Sequence, residues 1–132
     1  MTSPKIITAL DGVVATTTSN HIPIGSFKRV ALLFRRADDD TGVSAFTVTG
    51  GFATDGMEST DPTMTSYAML IDNVANSNSQ TNLTHTASHS ITNENADVLV
   101  WLDPLCPVTH IQITVTETSN GTHSAYVIGW ED

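Results

Sequence analysis

Apolar and polar residues alternate along most of this chain with the period of two that is typical of β-strands. The alternation is clearest in Ser44–Phe52, in Leu83–Thr92 and in Ile111–Trp130. Turn-forming residues separate such runs at close, even intervals, and helical periodicity is almost absent. The sequence therefore predicts an all-β protein of eight or nine strands. A two-sheet antiparallel β-sandwich of the jelly-roll type is the favoured architecture, and a single closed barrel is the alternative.

The C-terminal stretch predicts a β-hairpin. Asn120-Gly121 separates two alternating runs, and this dipeptide favours two-residue turns in which both residues have positive φ. The register set by such a turn places Val115 opposite Tyr126, Ile113 opposite Ile128, and Ile111 opposite Trp130. We expect these six side chains to form one apolar face that a second sheet covers.

Other segments give further local predictions. Asp11-Gly12 has the composition of a second two-residue turn, and Gly50-Gly51 indicates a bulge or a close backbone approach. Thr65–Val74 fits a strand better than a helix. Lys28–Arg36 is apolar at both alternate sets of positions in its middle, which predicts a central strand covered on both faces. Asp97–Leu102 is predicted to be a short strand that is also apolar at both sets.

Length and composition indicate one domain. The 132 residues, 39% of them hydrophobic, suffice for a core, and we expect a loose arm at residues 1–4 followed by a single β-sandwich domain at residues 5–132. No apolar run is long enough to span a membrane, and no signal peptide is recognisable. These features predict a protein made and kept in the cytoplasm or carried out by another assembly. The single cysteine, Cys106, excludes an internal disulfide and is expected to be apolar filler in a loop.

Charge is distributed unevenly along the chain. The net charge is −9, yet all five basic residues and only one acid, Asp11, lie in the first 36 positions. An acidic surface of this kind disfavours nucleic acid and anionic membranes as partners. The sequence-based candidates for binding a protein partner are four basic residues: Lys28, Arg29, Arg35 and Arg36. The alternative is that these residues cap one strand and pair with nearby acids such as Asp38.

Histidines and acids give no strong metal or catalytic signal. His85 and His89 have a spacing that would bind zinc on a helix, but in a strand they lie about 13 Å apart. Asp38 and Asp40 resemble the start of a calcium loop, without the later glutamate. We therefore expect no metal site and no cofactor.

Catalytic pairs are equally weak in the sequence. The carboxylates of Asp55, Glu58 and Asp61 lack a fixed separation, which glycoside hydrolysis requires. Ser124 follows His123 directly, and neighbours in a strand point to opposite faces. We therefore expect the protein not to be an enzyme.

Four stretches resemble small virion proteins of tailed bacteriophages: Phe46-Thr-Val-Thr-Gly with Asp55-Gly56, Leu70-Ile71-Asp72-Asn73, Leu102-Asp103-Pro104, and Ile111 to Ile128. Members of that group coat or cement the capsid exterior, often as trimers. The resemblance implies a virion structural protein on the capsid surface, bound to the major capsid protein or another virion protein. We also expect a homo-oligomer, with a trimer favoured, because the strands that are apolar at both sets of positions leave more apolar surface than one thin sandwich covers.

The same residues also resemble jelly-roll carbohydrate-binding modules, which stack exposed aromatic rings on sugars. Trp101 and Trp130 are the candidates for that role. Both lie on apolar faces of predicted strands, so we expect them in the core. A non-catalytic module that binds carbohydrate or another ligand is the alternative function.

Overall fold

A computed structural model of the chain describes residues 3–53, 64–68, 71–72, 85–86, 88–102 and 108–131. This part of the chain contains strands and loops and no helix, and hence no helix suited to spanning a membrane. The strands are β1 Lys5–Val13, β2 Thr17–Thr18, β3 Ile22–Pro23, β4 Arg29–Ala37, β5 Val43–Ala53, β6 Met64–Ala68, β7 Ile71–Asp72, β8 His85–Thr86, β9 Ser88–Thr92, β10 Ala96–Leu102, β11 His110–Glu117 and β12 Thr122–Trp130. Every regular element in the described part of the chain is a strand, so the predicted all-β class is confirmed. Eight of these twelve strands are longer than two residues.

The strands form two antiparallel sheets. The first sheet has the order β1-β12-β4-β10-β7-β8, and the second has the order β2-β11-β5-β6, with β3 beside β11 and β9 beside β5. Most successive long strands lie in opposite sheets, so neighbours within a sheet are distant in sequence. This connectivity is that of a jelly roll, and the predicted two-sheet sandwich is confirmed.

The core lies between the two sheets. Phe34 of β4 and Phe46 of β5 come from opposite sheets and stack with their ring centroids 4.6 Å apart and their planes 9° from parallel. Aliphatic side chains of alternate strand positions surround them and are almost fully buried: Leu32, Val48, Val100, Ile111, Ile113, Val115 and Val127. The alternation in the sequence therefore predicts the inner face of most long strands correctly.

The predicted C-terminal hairpin is wrong. β11 pairs with β5 in the second sheet, whereas β12 pairs with β4 and β1 in the first sheet. Residues 118–121 therefore connect the two sheets. β11 buries the predicted residues, but β12 buries Ala125 and Val127 and turns Tyr126, Ile128 and Trp130 away from the core.

Gly121 is needed for a reason other than the predicted positive φ. The glycines with positive φ in the described part of the chain are Gly12 and Gly42. A Cβ atom on Gly121 would lie 2.5 Å from the carbonyl oxygen of Ala37. The main chain of β4 thus passes too close to residue 121 for any side chain.

We expect both Gly121→Ala and Gly121→Asn to lower the free energy of unfolding by about 1–3 kcal/mol, because each adds a Cβ against a backbone atom. Asparagine tolerates positive φ, so Gly121→Asn would cost little if the glycine were needed only for a turn. If the glycine is needed because a Cβ would clash with Ala37, Gly121→Asn should be as costly as Gly121→Ala. Gly12→Asn is the control, since Gly12 has φ +61° and open space at the Cβ position. An unchanged chemical-denaturation midpoint for Gly121→Asn would contradict the steric explanation.

The turn predicted at Asp11-Gly12 and the bulge predicted as one alternative for Gly50-Gly51 are both absent. Asp11-Gly12 is not a turn, because β1 continues through it and only its register with β12 shifts there. Gly50 and Gly51 pair in regular register with both β11 and β6, so no bulge is present. In both places the neighbouring strands, which are distant in sequence, determine the local geometry.

Candidate interaction surface

Large apolar side chains cover the surface of the first sheet that points away from the second sheet. Adjacent strands contribute them: Ile6 of β1, Leu33 of β4, Leu99 and Trp101 of β10, and Tyr126, Ile128 and Trp130 of β12. We call this set, together with Arg29 and Arg35 of β4, the outer face. Ile6 is 67% exposed and Leu99 is 37% exposed, so this apolar surface is accessible to a partner.

The sequence places this surface where apolar residues occupy both alternate sets of positions. β4 and β10 are neighbours in the first sheet, and their second apolar set points outward. The prediction that Lys28–Arg36 forms a central strand is confirmed by β4, which lies between β12 and β10, but the prediction that both faces of this strand are covered is wrong. Leu33 and Leu99, which lie opposite each other in the register, both point outward and are at least partly exposed.

The two tryptophans meet on the outer face above β4. Trp101 and Trp130 belong to strands on either side of β4, which places their backbones about 10 Å apart. Their ring centroids are nevertheless only 5.6 Å apart, with a 35° angle between the planes. Ala31 of β4 lies opposite Trp101 on one side and opposite Ile128 on the other, and its small side chain leaves room above β4 for the rings.

Both tryptophans were expected in the core, and this prediction is wrong. Each is partly exposed on the outer face. For Trp130 the error follows from the hairpin register, which assigned the bulkier set of β12 positions to the interior. On the inner side of β12, Gly129 leaves the space that the ring of Phe27 occupies, because a Cβ atom on residue 129 would collide with that ring.

Two arginines of β4 lie against aromatic rings of β12. The guanidinium carbon of Arg29 is 5.2 Å from the centroid of Trp130, and that of Arg35 is 5.7 Å from the centroid of Tyr126. These are cation–π distances. Each arginine therefore covers one edge of the apolar surface with a positive charge.

Arg35 is also held by a carboxylate. Its Nε and Nη2 atoms donate to Oδ1 and Oδ2 of Asp97 at 2.8 and 3.1 Å. These hydrogen bonds lower the pKa of Asp97 and raise that of Arg35. Because both side chains are about half exposed, the pair mainly fixes geometry and adds little stability.

The four predicted partner-binding residues separate into two groups. Lys28, Arg29 and Arg35 reach solvent at or beside the outer face, and the amide of Lys28 donates to the carbonyl of Trp130 at 2.7 Å. Arg36 points inward and is only 1% exposed. A partner therefore cannot reach the guanidinium of Arg36, and this residue is removed from the candidate set.

Arg36 instead joins loops at one end of the sandwich. Its guanidinium donates to four main-chain carbonyls, those of Asp39, Thr41, Gly42 and Ile91. The first three carbonyls belong to the loop between β4 and β5, and the last belongs to β9. Arg36 thus provides hydrogen-bond donors for four backbone carbonyls at a partly buried end of the sandwich.

The carboxylate of Asp39 accepts hydrogen bonds that join the loop between β4 and β5 to the loop between β11 and β12. Its Oδ1 accepts from the amide and hydroxyl of Thr41 at 3.0 and 2.7 Å, and its Oδ2 accepts from the amide of Asn120 at 2.8 Å. These hydrogen bonds lower the pKa of Asp39 to about 2. The neighbouring Asp38 accepts from the hydroxyl of Thr122, so the acids predicted as a possible calcium loop belong to a hydrogen-bonded turn.

The depressed pKa of Asp39 predicts an acid-dependent loss of stability. A folded-state pKa below the ordinary value means that the charge stabilises the fold above pH 4 and that this contribution is lost as the pH falls toward 2. Asp39→Asn should therefore flatten the fall in unfolding free energy between pH 4 and pH 2, measured by urea titration at each pH. Asp40→Asn is the control, and an identical slope for wild type and Asp39→Asn would contradict the assignment.

The remaining chemical candidates do not assemble into a site among the described residues. His85 lies in β8 of the first sheet and His89 in β9 of the second, which corrects the prediction that one strand contains both. The Nε2 atom of His123 lies 2.7 Å from the hydroxyl of Ser44, but both residues are fully buried, so no substrate reaches them. No group of three potential metal ligands occurs in this part of the chain. Cys106, Asp55, Glu58 and Asp61 lie outside the described residues.

Comparison with known proteins shows a shared fold. No protein-family model matches the chain, and no curated protein is significantly similar in sequence. Among solved structures, the SPBc2 prophage-derived protein YomS is similar with a TM-score of 0.61 over 97% of this chain and 96% of that chain, at 11% sequence identity. The chain is therefore similar over its whole length to the fold of a prophage-derived protein.

Proposed function

We propose that this protein is a structural component of a phage virion that decorates or cements the capsid, with the outer face as its attachment surface. The observation that carries the proposal is an accessible surface of Trp, Tyr, Ile and Leu side chains bordered by Arg29 and Arg35. Trp, Tyr and Arg are the residues most enriched at the energetic centres of protein interfaces. The full-length similarity in fold to a prophage-derived protein supports the viral part of the proposal.

The partner in this proposal is the major capsid protein or another virion protein. The role is mechanical and non-enzymatic, requires no cofactor, and involves neither nucleic acid nor membrane. The charge distribution supports a protein partner: in a chain whose net charge is −9, the Lys and Arg residues that reach solvent lie in β1 and β4 of the first sheet or directly before β4.

Rebinding to particles tests the attachment surface. The double variant Ile6→Gln/Leu99→Gln should bind about tenfold more weakly than wild type to particles that lack the protein, because two accessible apolar contacts are lost. The matched control is Val14→Gln/Val43→Gln, since Val14 is 65% exposed and Val43 is 38% exposed outside the outer face. Equal binding by both double variants would overturn the assignment of this surface.

Self-association is the second part of the proposal. We propose a homo-oligomer, with a trimer favoured, because the outward apolar positions of β4 and β10 are not covered within one copy. Light scattering across a range of concentrations measures the mass directly. A monomer mass at every concentration would contradict this part alone.

A carbohydrate-binding module is the alternative function, and the position of the tryptophans favours it. Trp101 and Trp130 are the only tryptophans of the chain, and both are partly exposed. Tryptophan fluorescence therefore reports on the outer face without labelling. Saturable fluorescence changes with soluble glycans, together with particle binding that is unaffected by Ile6→Gln/Leu99→Gln, would support this alternative over capsid attachment.

A further inference from the structure

Arg29 and Arg35 occupy equivalent positions on the outer face but have different partners. Both guanidinium groups lie over an aromatic ring of β12. The guanidinium of Arg35 is already bound at both ends by the carboxylate of Asp97. The ion pairs of the described residues join Arg35 to Asp97 and Lys5 to Glu131, and neither includes Arg29.

The position of Arg29 on Trp130 leaves its hydrogen-bonding edge accessible. A guanidinium group that stacks on a ring uses its flat face, while its five N–H groups point outward in the plane. That edge matches a carboxylate, which accepts two parallel hydrogen bonds. Arg29 is exposed, so an incoming carboxylate reaches this edge without displacing another part of the described chain.

Apolar surface adjoins this charged position on one side. The ring of Trp130 contacts that of Trp101, and Ile128 is the next outward residue along β12. A carboxylate bound to Arg29 would therefore have aromatic and aliphatic surface beside it. The combination fits an acidic side chain flanked by apolar residues.

We infer that Arg29, stacked on Trp130, binds an aspartate or glutamate side chain of the partner protein, whose neighbouring apolar residues pack on Trp101 and Ile128. This inference rests on the proposed function, since it specifies the chemistry of the partner at the proposed attachment surface. Charge complementarity supports an acidic partner. Residues 37–132 contain no Lys or Arg, and the cations that reach solvent lie in β1 and β4 of the first sheet or directly before β4. Arg35 does not provide an equivalent position, because Asp97 neutralises it within the chain.

The test compares rebinding of three variants to particles that lack the protein, at 0.1 M and 1 M salt. Arg29→Gln should bind about tenfold more weakly at 0.1 M salt, and its difference from wild type should shrink at 1 M, where the Debye length is about 3 Å. Arg29→Lys keeps the charge but loses the paired donors, so its binding should be intermediate. The double variant Lys5→Gln/Glu131→Gln removes an exposed cation together with its acid outside the outer face and should bind like wild type. Circular dichroism verifies that each variant is folded.

The outcomes separate this inference from the proposed function. If Arg29→Gln rebinds like wild type while Ile6→Gln/Leu99→Gln binds weakly, the outer face is the attachment surface and the inference about Arg29 is wrong. If Lys5→Gln/Glu131→Gln loses as much binding as Arg29→Gln, general positive charge acts in place of a specific carboxylate site, which also overturns the inference. Normal rebinding by all variants overturns the inference and the proposed function together.

Discussion

Replacing Arg36 with methionine is expected to lower the free energy of unfolding by about 3–5 kcal/mol. Arg36 is 1% exposed, and its guanidinium donates to four main-chain carbonyls. Methionine fills much of the same volume but donates no hydrogen bond, so these carbonyls would lose their donor in a region that water reaches poorly. Urea denaturation followed by circular dichroism measures the change.

Two variants control for charge and position in this experiment. Arg36→Lys keeps the positive charge but cannot reach four carbonyls at once, so its cost should lie between those of wild type and Arg36→Met. Arg35→Met removes the neighbouring, half-exposed arginine and should cost about 1 kcal/mol or less. A cost for Arg36→Met no larger than that for Arg35→Met would contradict the structural role of the buried guanidinium.

Replacing Phe46 with alanine is expected to cost about 3–5 kcal/mol, the usual range for removing a buried aromatic ring. Phe46 is fully buried and stacks on Phe34 of the opposite sheet. Removing it leaves a cavity at the contact between the sheets. Tyr126→Ala is the matched control, because Tyr126 is only partly buried on the outer face, and its loss should cost less than about 1.5 kcal/mol.

A double-mutant cycle tests the contact between the rings themselves. Since the two rings share one contact, the combined loss in Phe34→Ala/Phe46→Ala should be smaller than the sum of the single losses. Strict additivity would show that each ring is stabilised by its other neighbours and that the stack contributes little.

The sequence predicted the sandwich correctly but not which strands pair. Alternation identifies the inner face of a strand from local residues, as Ile111, Ile113 and Val115 illustrate. Sheet membership depends on distant partners: in the loop after β11, Thr118 donates to the carbonyl of Val43, and Asn120 donates to Asp39. An Asn-Gly signal marks a change of direction and does not distinguish a hairpin from a connection between sheets.

The sequence predicted part of the candidate surface. Apolar residues at both sets of positions in β4 indicated additional apolar surface, and the nearby basic residues indicated where charge lies. Alternation also contained the signal that separates Arg36 from Arg35, because Arg36 continues the inward series of Leu32 and Phe34. The pairing of Trp101 with Trp130 could not be predicted, since it requires both strands to flank β4.

The location of β12 has a consequence for how the protein folds during synthesis. β12 is the last strand of the chain, yet it lies between β1 and β4, two strands that leave the ribosome much earlier. Until β12 emerges, one edge of β4 has no neighbour, and β1 lacks the strand with which it pairs. Such open edges attract other chains, and contacts between distant residues form slowly. We therefore expect chains truncated before residue 122 to aggregate, whereas chains that contain β12 fold.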